Sequence, residues 1–377
     1  MTTRTTPALS LGAIALLVAG GVDTGTAQVA TAERLEGAGW WPTKRGGARA
    51  DYVGAAVCAG CHQSQAASQQ RSSMARTGDR AADSDILRAG STLTFAADRF
   101  SYTIDRQDSQ VLYTVTDGER SVSAPLAWAF GAGKVGQSFL FERNGRLHES
   151  RVSYYDSIGR LDLTPNHQRS VPINLEEATS RVVPAAEMRR CFACHTTASG
   201  TGTSDVNFAE LISGITCEAC HGPGRQHVAA MRTSAARRAD IALLRIRTLS
   251  ASDSVDFCGS CHATFWDVTL AGERGIAALR SQPFRLQSSR CWQQGDARLT
   301  CVACHDPHTP LVRDQRSYDA RCTACHASSA ATAAAQAPRV CTVATDNCTT
   351  CHMPKYDVPD MHFQFTDHLI RIVKKVG

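Results

Sequence analysis

The sequence predicts an α+β protein on three observations. A Cys-x-x-Cys-His pattern recurs seven times, with six copies crowded between residues 191 and 352. Between the first and second copies, from Gln63 to Arg190, the pattern is absent and much of the chain alternates apolar with polar residues, as strands do. After residue 191 there is little continuous hydrophobic periodicity, which predicts short helices and loops in place of an aliphatic bundle.

The seven copies are Cys58/Cys61/His62, Cys191/Cys194/His195, Cys217/Cys220/His221, Cys258/Cys261/His262, Cys301/Cys304/His305, Cys322/Cys325/His326 and Cys348/Cys351/His352. Two thiols three positions apart can add to the two vinyl groups on one edge of a haem, and the following histidine then reaches the iron as proximal ligand. Paired CxxC also suggests zinc, and the 301/304 and 322/325 pairs have a zinc-ribbon gap, but zinc gives no reason for His after every second Cys. A thioredoxin-like redox motif needs one CxxC, not seven. A disulfide scaffold leaves the recurring histidines unexplained. The expectation is seven covalently bound haem c groups. Their porphyrin faces would replace the missing aliphatic core, with short helices and loops wrapped around them.

Four segments follow along the chain. Residues 1–32 carry one early charge, Arg4, then the apolar run "LSLGAIALLVAGG" and small residues, a secretory signal with cleavage after Ala27 or Ala32. The run is short for a bilayer span, so an uncleaved anchor is the lesser alternative. Residues 33–85 form a one-haem segment. Residues 86–190 form an antiparallel β insertion between the first and second motifs, its meander running from about Ser91 to Leu163 with Asp117-Gly118 and Asn144-Gly145 as hairpin turns. Its "GAGKVGQS" (Gly131 to Ser138) lacks the spacing of a phosphate loop and reads as a glycine turn. Residues 191–377 form a six-haem domain in which one longer helix, Arg225 to Leu249, follows Gly222-Pro223-Gly224.

No later apolar stretch is long enough to cross a membrane, so the processed chain is expected to be exported, in a bacterial periplasm or its equivalent, without a transmembrane span. The formal charge of +5 omits the haem propionates, many of which arginines would face, and it does not argue for nucleic acid. Cys291 and Cys341 lie outside every motif. A disulfide between them is the simplest expectation in an oxidising compartment, with buried free thiols as the alternative.

Each haem iron has a second axial position, and six histidines remain: His148, His167, His227, His308, His362 and His368. In "CHGPGRQH" the thioethers and His221 hold the backbone on one face of their own haem, so His227 is poorly placed to round that ring and points to a neighbouring one. His308 in "CHDPH" is in the same position. Such crossed ligands would draw haems into close pairs. His362 and His368 in "MHFQFTDH", His167 in "LTPNH" and Met74 in "QRSSMART" are further candidates; His148, in an expected strand, is a weaker one. Methionine ligation raises the potential relative to bis-histidine. Should a candidate not ligate, one iron keeps an exchangeable site.

The stretches "YVGAAVCAGCHQSQAASQQRSSMA", "GITCEACHGPGRQHV", "LTCVACHDPH" and "CTTCHMPKYDVPDMHFQFTDHLI" resemble the multihaem cytochromes c of the cytochrome c-554 and c-552 type, related to hydroxylamine oxidoreductase. The resemblance covers residues 52–75 and 191–370 and implies that His227 and His308 are distal ligands. Members often carry His at the twelfth residue after the first motif, where this chain has Met74. The expected function is electron transfer between redox partner proteins, or with a quinol-linked membrane complex. The alternative is an oxidoreductase acting on a small nitrogen or sulfur compound at a five-coordinate haem. Relatives of that kind often mark the catalytic haem with Lys in place of the motif His, and all seven motifs here end in His. No catalytic residue is therefore assigned.

Overall fold

A computed structural model describes residues 48–165, 167–168, 170–198, 206–233, 243, 245–272, 275–293, 296, 298–326, 341 and 343–372. The expected signal, residues 1–32, lies outside them. Mixed helices and one large, curled antiparallel sheet make the fold α+β.

The sheet has ten strands: β1 Gly78–Arg80, β2 Leu93–Ala97, β3 Phe100–Gln107, β4 Gln110–Thr116, β5 Ser121–Phe130, β6 Gly136–Arg143, β7 Arg146–Ser150, β8 Val152–Tyr155, β9 Arg160–Leu163 and β10 Ser180–Val182. Its main path runs β10-β7-β6-β5-β4-β3-β2; β1 pairs with β5, and β8 bridges β6 to β9. Strand β5 is the pivot. Its first half pairs with β4 (Leu112 opposite Pro125) and its second with β6, where the register shifts between Leu126 opposite Phe141 and Trp128 opposite Leu140.

Turn chemistry sets the registers. Asn144 and Gly145 both adopt positive φ, 52° and 68°, as the tight hairpin between β6 and β7 requires. At the β4–β5 turn, the Asp117 carboxylate accepts hydrogen bonds from the Glu119 and Arg120 amides. Asp98 and Asp108, also at positive φ, close the β2–β3 and β3–β4 hairpins. The "GAGKVGQS" stretch joins two strands, with Gly131 and Gly133 at positive φ and no helix following.

Period-two alternation divides the sheet's apolar residues between two faces. One face carries Phe100, Tyr102, Ile104, Val111, Tyr113, Val115, Phe139 and Phe141, all buried. The other presents Trp128, Phe130 and Leu140 to the helix Ala185–His195, which holds the second Cys-x-x-Cys-His motif. Phe192, between the two cysteines of that motif, meets Phe130 edge-on at 4.9 Å and Trp128 at 5.0 Å. The sheet therefore seats a motif helix directly.

Elsewhere the motifs sit on short helices, among them Cys217–His221, Ala251–His262, Cys301–Cys304, Asp319–His326 and Cys348–His352. The helix expected from Arg225 to Leu249 is shorter than its sequence pattern suggested. It runs Arg225–Met231 and ends where the Thr233 hydroxyl donates back to the Ala230 carbonyl, a bond that competes with helix propagation. Residues 234–242 and 244 lie outside the described residues, and Ile246–Thr248 form a single 3-10 turn. Cys341 is exposed, accepts hydrogen bonds from the Val343 and Ala344 amides, and is not bridged to Cys291.

The segment before the sheet interlocks with the second and third motifs. Ile215 N–H donates to Met74 O, Gly214 N–H to Gly78 O, and the Thr77 hydroxyl to His195 O. Gly214 has φ +68°, and a Cβ there would fall 2.0 Å from the Ala75 carbonyl oxygen. Gly214→Ala is accordingly expected to cost on the order of 2–4 kcal/mol in chemical denaturation, from left-handed strain plus a clash with rigid backbone.

Candidate haem sites

One helical turn brings the two cysteines of each motif to the same side, three positions apart, with the histidine at the end of the turn. The spacing gives all seven pairs one standing, whereas the structure separates them by burial. The leading cysteines Cys58, Cys191, Cys217, Cys258, Cys301, Cys322 and Cys348 are all half-buried. Of the second cysteines, Cys194 and Cys220 are half-buried, but Cys61, Cys261, Cys304 and Cys351 are exposed. Those four second cysteines are therefore open to solvent, and a haem edge would have to reach each of them from the solvent side.

Their surroundings differ as well. Cys220 packs with Cys258 against Phe257, alongside Ile246 and Leu249. Cys261 Sγ lies 3.6 Å from the Ser260 hydroxyl, and Cys351 Sγ accepts from the Thr350 hydroxyl at 3.9 Å. Cys304 lies near Tyr318, whose pKa is raised by burial and then by that thiol. Cys325 is on the helix Asp319–His326, and its side chain lies outside the described part of the structure.

The ring orientation of several histidines is set through Nδ1. In His195 this atom lies 2.9 Å from Thr77 O, in His352 3.0 Å from Arg371 O and in His368 3.0 Å from Thr366 O. His308 Nδ1 lies 3.1 Å from Asp306 Oδ1, and His305 Nδ1 lies 3.5 Å from the Tyr318 hydroxyl. An acceptor at Nδ1 fixes the proton there and leaves Nε2 as the metal-binding atom. Burial favours the neutral, ligating form: it lowers the pKa of His195 and of His305, and that of His368 to about 4.

Three pairs of imidazoles face one another. His62 and His227 have ring centres 6.4 Å apart with planes 26° from parallel; His221 and His308 are 6.0 Å apart at 7°; His305 and His368 are 6.2 Å apart at 39°. Roughly 2 Å from metal to imidazole nitrogen, and about 1 Å more to the ring centre, predicts roughly 6 Å between two rings sharing one metal. The residues present therefore fit a haem iron at each pair. In every pair one histidine closes a motif and the other comes from outside it. Among the described residues, no three His, Cys, Asp or Glu side chains converge as a bare ion site.

The remaining candidates sit differently. His148 Nδ1 is 3.0 Å from the Ser180 hydroxyl, and its ring stacks on Phe141 at 5.5 Å. His362 Nε2 is 2.9 Å from Asp162 Oδ2, and its ring meets Tyr155 edge-on at 4.8 Å. The side chain of His167 is buried, with Nε2 3.4 Å from Glu149 Oε2 but without a hydrogen bond to it. Met74 is half-buried in a 3-10 turn against Ile215. His262 and His326 are exposed.

The motifs also touch through sulfur. Cys58 of the first and Cys217 of the third share a thiol hydrogen bond, which holds Cys58 protonated and lowers Cys217 to about 7. Cys258 of the fourth and Cys301 of the fifth are joined in the same way. Cys348 of the seventh is raised to about 12 by burial, then by its bond to Asp319 and the nearby Cys322 of the sixth. Cys194 Sγ of the second motif lies 3.5 Å from Ser260 O, inside the fourth.

Residues 153–222 match the family model described as cytochrome c554 and c-prime. That match supports a c-type cytochrome. It runs from β8 through β9 and β10 to Gly222, so it takes in the second and third motifs. With it come support for covalently bound haem c and for haem-based electron transfer in general. No curated protein and no solved structure matches the chain. Among the described residues, no helix is long and apolar enough to cross a membrane.

Carboxylates that sequence reading passed over hold these sites together. Asp319 accepts from the Asn347 and Cys348 amides and so ties the sixth motif to the start of the seventh. Asp367, next to His368, is 0% exposed and takes a two-pronged bond from Arg285, both contacts at 2.8 Å, and another from Arg371 at 2.5 Å. Burial alone would raise its pKa; the two guanidinium groups outweigh burial and hold it at about 2. Asp367 thus contributes stability that is fully present above the unfolded carboxyl pKa near 4 and is lost as pH falls through 2, a difference on the order of 2–3 kcal/mol. Denaturation midpoints measured between pH 5 and pH 2 are expected to fall less in Asp367→Asn than in the parent. At neutral pH the same variant is expected to be destabilised by about 3–5 kcal/mol, because two arginines lose their buried partner.

Proposed function

We propose that the chain is an exported cytochrome carrying seven haem c groups and passing electrons between redox partners. The carrying observation is the three imidazole pairs at 6.0–6.4 Å, each built from a motif histidine and a second histidine from another part of the chain. When bound, haem supplies a reversible one-electron centre whose potential the axial ligands set.

The chain's own contribution is placement. Thioether attachment is assigned to the seven cysteine pairs, including the exposed second thiols of Cys61, Cys261, Cys304 and Cys351 and, by spacing alone, Cys325. Proximal ligands are assigned to His62, His195, His221, His262, His305, His326 and His352. Distal ligands are assigned to His227 at the first motif, His308 at the third and His368 at the fifth. His167, His362 and Met74 remain assigned as ligands by chain position alone. The leading cysteines of the first and third, fourth and fifth, and sixth and seventh motifs lie beside each other as thiols, and that proximity would set the attached cofactors as neighbours once the S–H groups have been spent on thioethers. His308, three residues beyond His305 yet facing His221, ties the third motif to the fifth. Intact mass of the exported product is expected to exceed that of the processed polypeptide by seven haems. A mass equal to the bare polypeptide would end the proposal.

A further inference from the structure

We infer that Glu218 is the positioning residue for the haem of the first motif, although it lies inside the third. This rests on the assignment of His62 and His227 to one iron. Glu218 occupies the position after Cys217, is 2% exposed, and spends its carboxylate entirely on backbone amides. Oε1 accepts from Val53 N–H at 2.8 Å and from Gly224 N–H at 2.8 Å, and Oε2 accepts from Gly54 N–H at 2.9 Å.

The identity of those amides gives the residue its role. Gly54 is the N-cap of the helix Ala55–Ala59, which carries Cys58 and leads into His62. Gly224 is the N-cap of the helix Arg225–Met231, which carries His227. One buried carboxylate therefore grips the starting points of both segments that present imidazoles to each other at 6.4 Å. Gly224 is shaped to the grip, since a Cβ there would lie 3.2 Å from Glu218 Oε1 and 3.0 Å from a Val53 methyl. A second tie runs alongside: Arg225 Nε donates to Ala50 O at 2.7 Å. Three backbone N–H donors converge on one carboxylate that is almost wholly shielded from water, where a hydrogen bond is stronger than in solvent. His62 and His227 are thus located relative to each other through Glu218 before any iron joins them.

The test uses the purified holoprotein. Glu218→Gln keeps the side-chain volume but replaces one acceptor oxygen with an NH2 that confronts a backbone N–H. Electron paramagnetic resonance of the oxidised variant is expected to show the loss of one low-spin centre and the gain of one high-spin centre, with intact mass showing the parental haem number. Added to His227→Ala, Glu218→Gln is expected to change no further centre. Asp319→Asn, at the tie between the sixth and seventh motifs, is expected to leave the first-motif signal as it was. Retention of every low-spin signal, a further high-spin centre in the double variant, or a shift of all centres together would each overturn the inference. If Glu218→Gln does not accumulate, Gly224→Ala, which crowds the same oxygen, is read by the same criteria. A parent protein without haem by mass would instead remove the functional proposal, so the two failures are distinguishable.

Discussion

His227→Ala is expected to convert one ferric centre of the oxidised protein from low-spin to high-spin and to open it to small exogenous ligands. The physical reason is the 6.4 Å gap between the His62 and His227 rings, which one metal spans and a methyl group does not. Which centre changes is the sharper question. If His227 serves the first motif, combining His227→Ala with Cys58→Ser and Cys61→Ser should erase the high-spin signal, because the affected haem is then never attached. Persistence of that signal would place His227 on some other haem. His227→Met is the companion measurement. A thioether at the same position is expected to keep the centre low-spin and raise its potential, by an amount bounded by the axial-ligand range of roughly 0.8 V.

The second large effect is expected at Phe192. Its ring is fully buried and packs edge-on against Phe130, Trp128 and Phe208, at 4.9, 5.0 and 5.2 Å. Phe192→Ala removes the side chain that joins the sheet to the helix bearing the second motif. Truncating a buried phenylalanine costs about 3–5 kcal/mol, and both sides of this contact are rigid, so little relaxation is available. Urea denaturation followed by far-ultraviolet circular dichroism is expected to show that loss. Ile173→Ala, at a side chain 79% exposed, should stay within about 0.5 kcal/mol of the parent. Equal effects from the two substitutions would refute the account of the sheet as a seat for the motif helix.

Much of the sheet was legible because strand alternation and turn chemistry are local signals. Asn144-Gly145 declares its hairpin, and the apolar positions of β3 and β4 repeat every second residue. The ends of the sheet were hidden. Strands β1 (Gly-Asp-Arg) and β10 (Ser-Arg-Val) carry no apolar alternation and join only because β5 and β7 offer free edges. Likewise, Asp98 and Asp108 close hairpins at positive φ without a following glycine, so the dipeptide signal for such turns was missing.

Within the candidate sites the division is similar. The Cys-x-x-Cys-His spacing is written in the chain, and the short tethers of His227 and His308 directed them away from their own motifs. The spacing does not say which second thiols face outward, since the exposure of Cys261 or Cys304 and the half-burial of Cys220 depend on what packs over each helix. Nothing in the sequence says that His368 lies opposite His305, because that approach depends on how the chain returns after the seventh motif. Glu218 occupies a motif position where any residue is allowed, and Asp367 reads as an ordinary surface charge. Their roles arise only when distant amides and guanidinium groups converge on them. Asp319 belongs with them: it opens the helix of the sixth motif, yet its carboxylate accepts from the Asn347 and Cys348 amides at the start of the seventh, a partnership no local pattern signals.

The contact between Cys58 and Cys217 has a consequence for biogenesis. Two neighbouring sulfurs, one of them readily ionised, are a short step from a covalent bridge, which exchange with another disulfide would form as that disulfide is reduced to two thiols. On the proposed haem assignment, such a bridge would leave two motifs without haem at once. If both motifs take haem as proposed, ligation to porphyrin has to precede such a crosslink, or a reductant has to keep both sulfurs available until loading is complete.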